Sequence, residues 1–423
     1  MTLADSPALT QDRPPAGGRP QRQPLAGRTA LVSASETARM RTLGRELAAA
    51  GRRIANMAAG ELDTALAAPV RRAAIAAIEA GHNRYTDTSG LPGLRSAIAG
   101  LVAEKTGLAW TPAGISVTAG AKQALFNAAM TLIDPGCEVL IPCPYWTTFP
   151  TQIRIAGGTP VALDTTATGY LPTPAMIRAA ITPATRMIVL NTPNNPTGRV
   201  YDAGLLDQIA SIAQDHDLWI LFDECYGALV PAPAVHVNLL RLRPDLRDRV
   251  VLVDSFSKSC AMTGWRIGYL AAPEPVIKAA SAFQSHTASN PNVIAQHAVL
   301  AALTTGRAEL DAFQADIRAL LAGNRALALD ILAGLDRVTV RPGEGGFYLY
   351  LDLGRLIGRQ FADGSPVTDA DAVAEHLLSE AGVASVPGSA FGDPRGLRLS
   401  YAIDGDDLAT GLRALVATLN RVA

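Results

Sequence analysis

Short apolar runs alternate with longer helical stretches through the middle of this chain, and that alternation constrains the fold more than any other feature. Ile115-Ser-Val leads through a glycine turn into a helical stretch from Lys122 to Ile133. Glu138-Val-Leu-Ile, Met187-Ile-Val-Leu, Leu218-Trp-Ile-Leu-Phe, Val250-Val-Leu-Val and Ile267-Gly-Tyr-Leu follow, separated by helix-like segments such as 203–215 and 274–285. Strands that alternate with helices form an α/β layer, in which crossover helices cover a mostly parallel sheet. Beyond about residue 305 the pattern changes. A long helical stretch over 307–335 leads into Val338-Thr-Val, the hairpin-like Gly346-Phe-Tyr-Leu-Tyr-Leu, and then another helix and strand. This predicts a smaller α+β domain, to which the segment around 30–60 contributes. A chain of 423 residues also exceeds the ~250–300 at which single cores stop growing.

The hydrophobic fraction is 48% but aromatics are only 5%, so the core must rest on Ala, Leu, Ile and Val, which suits helices packed on a sheet. Lys and Arg number 37 against 38 Asp and Glu, leaving no basic field to hold nucleic acid or an anionic membrane. No run approaches the roughly 18 apolar residues that span a bilayer. The four cysteines form no C-x-x-C pair, so neither a metal site nor a disulfide framework is expected, and a reducing cytoplasm fits. The first residues lack the basic start and apolar stretch of a signal peptide. Residues 1–28, rich in Pro, Gly, Arg and Gln, are expected to be a disordered extension.

In sheets of this kind ligands sit at the carboxyl ends of the strands. Past Leu218–Phe222 comes Asp223-Glu-Cys-Tyr226, and past Val250–Val253 comes Asp254-Ser255-Phe-Ser257-Lys258, with Arg266 eight residues on. Past Met187–Leu190 comes Asn191-Thr-Pro-Asn-Asn195-Pro-Thr-Gly, and Thr118-Ala-Gly120-Ala121-Lys122 opens a helix. Each has an ordinary explanation alone. A lone lysine is usually a solvated charge, a strand-end Asp is often a helix cap, and Asn-Asn-Pro-Thr-Gly is a good turn. Together, at the ends of successive strands, they offer an amine, a carboxylate, hydroxyls with an arginine, and a helix N-terminus able to hold an anion.

The string Ser255-Phe-Ser-Lys258-Ser-Cys-Ala-Met-Thr-Gly-Trp-Arg266-Ile-Gly resembles the cofactor-lysine signature of class I, aspartate-aminotransferase-like enzymes that use pyridoxal 5′-phosphate on fold type I. Tyr85-Thr-x-x-x-Gly90-Leu-Pro-x-Leu-Arg95, Gly120-Ala-Lys-Gln-Ala-Leu, Pro144-Tyr-Trp146, Asn-Asn195-Pro-Thr-Gly, Asp223-x-x-Tyr226, Pro387-Gly-x-x-Phe391 and Arg398-Leu-Ser-Tyr occur in the family's order. The resemblance runs from about residue 30 to the C-terminus. It implies a large domain over 61–305 with a mostly parallel seven-stranded sheet between helices, a small α+β domain over 306–423, and a segment 29–60 packing with the latter.

The resemblance also implies roles. Lys258 would hold the cofactor as a Schiff base and move the proton between the substrate α-carbon and the cofactor. Asp223 would pair with the ring nitrogen, and Tyr226 and Asn195 with the 3′-oxygen. Arg266, Ser255, Ser257 and the Gly120-Ala121 amides, beside Lys122, would hold the phosphate, with Trp146 stacked on the ring. Tyr85 would reach the phosphate of a neighbouring subunit, which requires a homodimer with shared active sites. Arg398 would clamp the substrate α-carboxylate as a planar fork, helped by Asn195 and the backbone at Gly60.

The expected activity is ping-pong exchange of an amino group between an L-amino acid and a 2-oxo acid. Lys122 slightly favours acidic, aspartate- or glutamate-type substrates. The family's Gly-Glu-Pro-Asp-Phe is here Gly60-Glu-Leu-Asp-Thr, which suggests a differently shaped lid. A transaminase for an unusual basic or guanidino 2-oxo acid, or a lyase, decarboxylase or oxidase on the same fold, therefore stands as the alternative. An aminotransferase-like regulator is disfavoured, because some 28 N-terminal residues cannot form a DNA-binding winged helix.

Overall fold

The computed structural model describes residues 25–32 and 36–423. The chain falls into two units, one up to Ser33 and one from Ala34 to Ala423. Of the extension expected to be disordered, residues 1–24 lie outside the described residues. Gly27–Leu31 forms an exposed 3₁₀ turn.

Within the second unit seven strands make one sheet: β1 (Ile115–Thr118), β2 (Glu138–Cys143), β3 (Thr159–Asp164), β4 (Thr185–Asn191), β5 (Trp219–Asp223), β6 (Val250–Ser255) and β7 (Gly268–Ala271). Their order is β1-β7-β6-β5-β4-β2-β3. All neighbours are parallel except β7, which runs against both β1 and β6. The expected α/β fold with its mostly parallel seven-stranded sheet is therefore what the chain adopts. The apolar runs did not signal β3, because Thr159-Pro-Val-Ala-Leu-Asp is a half-exposed edge strand interrupted by a proline.

Alternation along the central strands divides their side chains between two cores. Ile188, Leu190, Ile220, Phe222, Val250 and Leu252 face α1 (Ala68–Glu79) and α2 (Pro92–Thr106). Met187, Val189, Leu221, Val251 and Val253 face α3 (Ala121–Leu132) and α4 (Glu274–Thr287). Full burial on both faces, at about 1.5–3 kcal/mol for each large aliphatic side chain, fixes the register and hence the positions of the strand ends. A 26-residue helix, Arg307–Leu332, leads to a second, antiparallel sheet. It contains β8 (Thr339–Arg341), β9 (Tyr348–Asp352), β10 (Val386–Pro387) and β11 (Gly396–Ser400), in the order β10-β11-β9-β8.

The loop after β4 is strapped to the segment entering β9. The Gly198 carbonyl accepts from the amides of Glu344 (2.8 Å) and Gly345 (2.9 Å), and Arg199 pairs with Glu344 at 2.5 Å. Gly198 has φ +68°, and a methyl there would lie 3.0–3.1 Å from the backbone of 343–348. Only glycine meets both demands. The first sheet's Asn195 is thereby fixed relative to the second sheet's Tyr348.

Candidate active site

The carboxyl ends of β4, β5 and β6, the start of α3 and the face of β11 converge. Asp223 ends β5 on the α3 side, because it shares the parity of Leu221. Its carboxylate accepts the Cys225 amide at 3.1 Å and is otherwise enclosed. Burial pushes this carboxyl up to about 6, against the pull of that amide, and the neighbouring charges of Asp254 and Glu224 add to the rise.

Lys258 follows β6 in a single helical turn, Phe256–Ser259. Its ammonium donates to the Gly60 carbonyl and lies 5.8 Å from the Tyr226 ring centre and 5.6 Å from that of Phe347. Burial lowers it to about 8, with Arg398 and Arg266 helping and Cys225 and Glu61 opposing. An amine that loses its proton near neutrality can act as a nucleophile and a base. Gly60 thus meets the lysine, and a methyl on it would lie 3.0 Å from the Tyr348 hydroxyl.

Gly120 caps α3 at φ +79° and brings no side chain to the helix's first amides, which leaves those of Ala121 and Lys122 uncapped by a side chain. A Cβ at Gly120 would collide with the Arg266 guanidinium. Arg266 itself stands at φ +55°, with Nη1 donating to Thr263 O (2.9 Å) and Nη2 to Ala119 O (3.4 Å). Ser255 and Ser257 are buried beside this turn. Trp146 is half-buried, edge-on to Phe149, and the Lys122 ammonium lies 5.0 Å from its ring centre.

Arg398, midway along β11, is buried. It donates through Nη1 to Asn195 Oδ1 and through Nη2 to Ala58 O, both at 2.9 Å. Its Nε is buried without a hydrogen-bond partner. Asn195 is held in turn by its own amide donating to Asn191 Oδ1 at 2.9 Å. The Tyr226 hydroxyl lies 3.0 Å from that of Tyr348, whose ring sits 4.3 Å beneath the Arg398 guanidinium. Of the residues anticipated from sequence, Tyr85 stands apart, 89% exposed. Sequence reasoning missed Tyr348 and the Ala58 carbonyl. The alternation in Gly346-Phe-Tyr-Leu-Tyr was a signal for a strand but not for a hydroxyl in the site.

The fit to a phosphorylated aldehyde with a basic ring is chemical. A helix N-terminus whose capping residue must lack a Cβ leaves room for an anion beside Arg266. A buried carboxyl on the same side of the sheet awaits a cation, an amine with lowered basicity can condense with an aldehyde, and an orphaned guanidinium Nε awaits an acceptor. Among the described residues no cluster of His, Cys, Asp and Glu could hold a metal ion, and no helix is long and apolar enough to cross a membrane.

Comparison with known proteins agrees. The model of the family "Aminotransferase class I and II" matches residues 30–415. The aspartate/prephenate aminotransferase of Cereibacter sphaeroides is 40% identical over 380 residues, covering 89% of this chain and 94% of that one. The aspartate aminotransferase of Geobacillus stearothermophilus is 37% identical, covering 92% and 98%. Among solved structures, the aspartate aminotransferase of Rhizobium meliloti superposes with a TM-score of 0.89 at 34% identity, over 95% of this chain and 100% of that one. The Thermus thermophilus aspartate aminotransferase with maleate gives 0.87 at 35%, over 94% and 100%.

Proposed function

Because the chain belongs to the class I and II aminotransferases, which depend on pyridoxal 5′-phosphate, we propose that it moves the amino group between an aspartate- or glutamate-type L-amino acid and a 2-oxo acid. The observation that carries this is the half-buried Lys258 amine, which stands 5.8 Å from the Tyr226 ring centre and 5.6 Å from that of Phe347 and donates to the Gly60 carbonyl. Lys258 would hold the cofactor through its amine and would carry the proton to and from the substrate α-carbon. Asp223 keeps a proton on the ring nitrogen. Tyr226 and Asn195 would hydrogen-bond the 3′-oxygen, and Trp146 would stack on the ring. The α3 amides at Gly120 and Ala121, Ser255, Ser257 and Arg266 hold the phosphate, with Lys122 at the helix start. Arg398, with Asn195 and the Gly60 backbone, holds the α-carboxylate. Bound there, the cofactor supplies the electron sink for the carbanion left when the α-proton departs.

The acidic preference rests on the Lys122 ammonium over Trp146 and on relatives named for aspartate and prephenate. A basic or guanidino side chain would meet that ammonium with like charge. Single-turnover spectroscopy across amino donors tests the proposal. Aspartate and glutamate should convert the cofactor to its amine form fastest, and Lys122→Gln should raise their KM about tenfold while sparing aromatic donors. Fastest reaction with basic donors would overturn the substrate class. No conversion with any amino acid would overturn transamination in favour of another reaction on this fold.

The exposed Tyr85, with Ile75 (51%) and Ile78 (64%) on α1, supports a homodimer in which Tyr85 completes the partner's phosphate site. Light scattering should give twice the 44.2 kDa chain mass, and Tyr85→Phe should weaken cofactor binding. The pairing of Ala55–Asn56 with Val383–Ala384 supports assigning 29–60 to a small domain of 306–423, set against a large domain of 61–305. Four free cysteines support a cytoplasmic location.

A further inference from the structure

On the side of the sheet away from Asp223 lies a second cluster of buried charge that the chemistry above does not use. Glu224 and Asp254 share the parity of Phe222 and Leu252 and so face α2. There Lys105 reaches both, with Nζ 2.6 Å from Asp254 Oδ2 and 3.0 Å from Glu224 Oε1. The second Glu224 oxygen meets His236 Nε2 and Asn238 Nδ2, each at 2.9 Å. The Tyr269 hydroxyl donates to Asp254 at 3.2 Å. The cluster is joined to the site at two points. Glu224 directly follows Asp223 and its amide donates to Val253 O at 3.0 Å, while Asp254 Oδ1 accepts the Ser255 amide at 2.6 Å.

We propose that Glu224 and Asp254, held by Lys105, are positioning residues whose net negative charge behind Asp223 keeps the proton on the bound cofactor's ring nitrogen and on its linkage to Lys258. Two carboxylates and one ammonium, with His236 in its neutral form, leave one negative charge shared by a Glu224 side chain 2% exposed and an Asp254 side chain 15% exposed. Asn238 and the Tyr269 hydroxyl donate hydrogen bonds to that charge without cancelling it. As a stabilising device such a cluster is poor, since apolar residues of equal volume serve as well or better. As a source of field it has no apolar substitute. The other groups facing Asp223 are the Cys225 amide and thiol, and those facing Lys258 are Glu61, Cys225, Arg266 and Arg398. The two arginines oppose the proton, and the cluster with Glu61 favours it.

The inference rests on the cofactor assignment, and the test separates the two. The loaded enzyme and its Glu224→Gln, Asp254→Asn and Asn238→Ala variants would be titrated by visible absorbance, alongside cofactor affinity and thermal unfolding. Each charge variant should lower the pH midpoint of the absorbance change by about half a unit or more and weaken cofactor binding several-fold. Asn238→Ala removes a neutral donor from the same carboxylate, so it should lower the unfolding temperature and leave the midpoint in place. An unchanged midpoint in either folded charge variant, or an equal drop in Asn238→Ala, would overturn the proposal. A parent enzyme with no visible absorbance would instead strike at the cofactor assignment.

Discussion

Asp223 and Glu224 are neighbours in the chain, both are buried, and they emerge on opposite faces of one strand, yet their carboxyls are treated in opposite ways. Burial raises Asp223 to about 6, because one backbone amide is too little to offset the loss of water. Burial also pushes Glu224 upward, but Lys105 and the hydrogen bonds of His236 and Asn238 outweigh it and hold this carboxyl down at about 2. On one face of the sheet the fold supplies the carboxylate's partners. The other leaves its charge wanting, which is the condition for binding a cationic ring nitrogen.

The sharpest way to break this contrast is to neutralise each carboxylate in turn. Asp223→Asn should cut kcat/KM by about 10²–10³-fold, whereas Glu224→Gln should cost less than about tenfold, measured with the same amino donor. Stability should respond the other way in the cofactor-free protein. Near pH 8, Asp223→Asn should stabilise by up to about 3 kcal/mol, the equivalent of its raised pKa, and Glu224→Gln should cost about 1–3 kcal/mol in urea unfolding.

The same two groups give opposite slopes with pH. Between about pH 6 and 4 the folded cofactor-free protein binds Asp223's proton before the unfolded chain does, so this contribution grows as pH falls. Between about pH 4 and 2 the unfolded chain takes Glu224's proton first, so that contribution is lost. Urea midpoints should therefore rise and then fall as the solution is acidified, and the rise should shrink in Asp223→Asn, leaving what the raised carboxyls of Asp254 and Asp393 add. The smallest effect belongs to His236→Phe. Losing one donor to Glu224 should cost about 1 kcal/mol and leave turnover unchanged.

How far these two faces were legible in the sequence follows from where the information sits. Asp223 closes an apolar run and Tyr226, Asn195 and Lys258 follow soon after the ends of such runs, and a strand that ends at a site displays its chemistry next in the chain. Glu224 and Asp254 stand in the same strings and went unread, because their partner Lys105 lies 119 and 149 residues away at the end of a helix. No local pattern announces such a pairing. Tyr348 was hidden for the opposite reason: its run of aromatic and aliphatic residues reads as core, and long-range ties, the strap at Gly198 and the Gly346 amide on the Leu229 carbonyl, bring its hydroxyl to Tyr226. Edge strand β3 escaped because half of it faces water.

Arg398 carries one more consequence. Each of its Nη atoms is engaged once, by Asn195 and by Ala58, its plane rests on Tyr348, and the Nε–H with one N–H on each Nη is left for a ligand. Such a fork has no rotational freedom left to surrender when a ligand arrives, so its selectivity was settled during folding. An amine without an α-carboxylate would bury this cation with nothing to neutralise it. Simple alkylamines should therefore be turned away however readily their nitrogen could react with the cofactor.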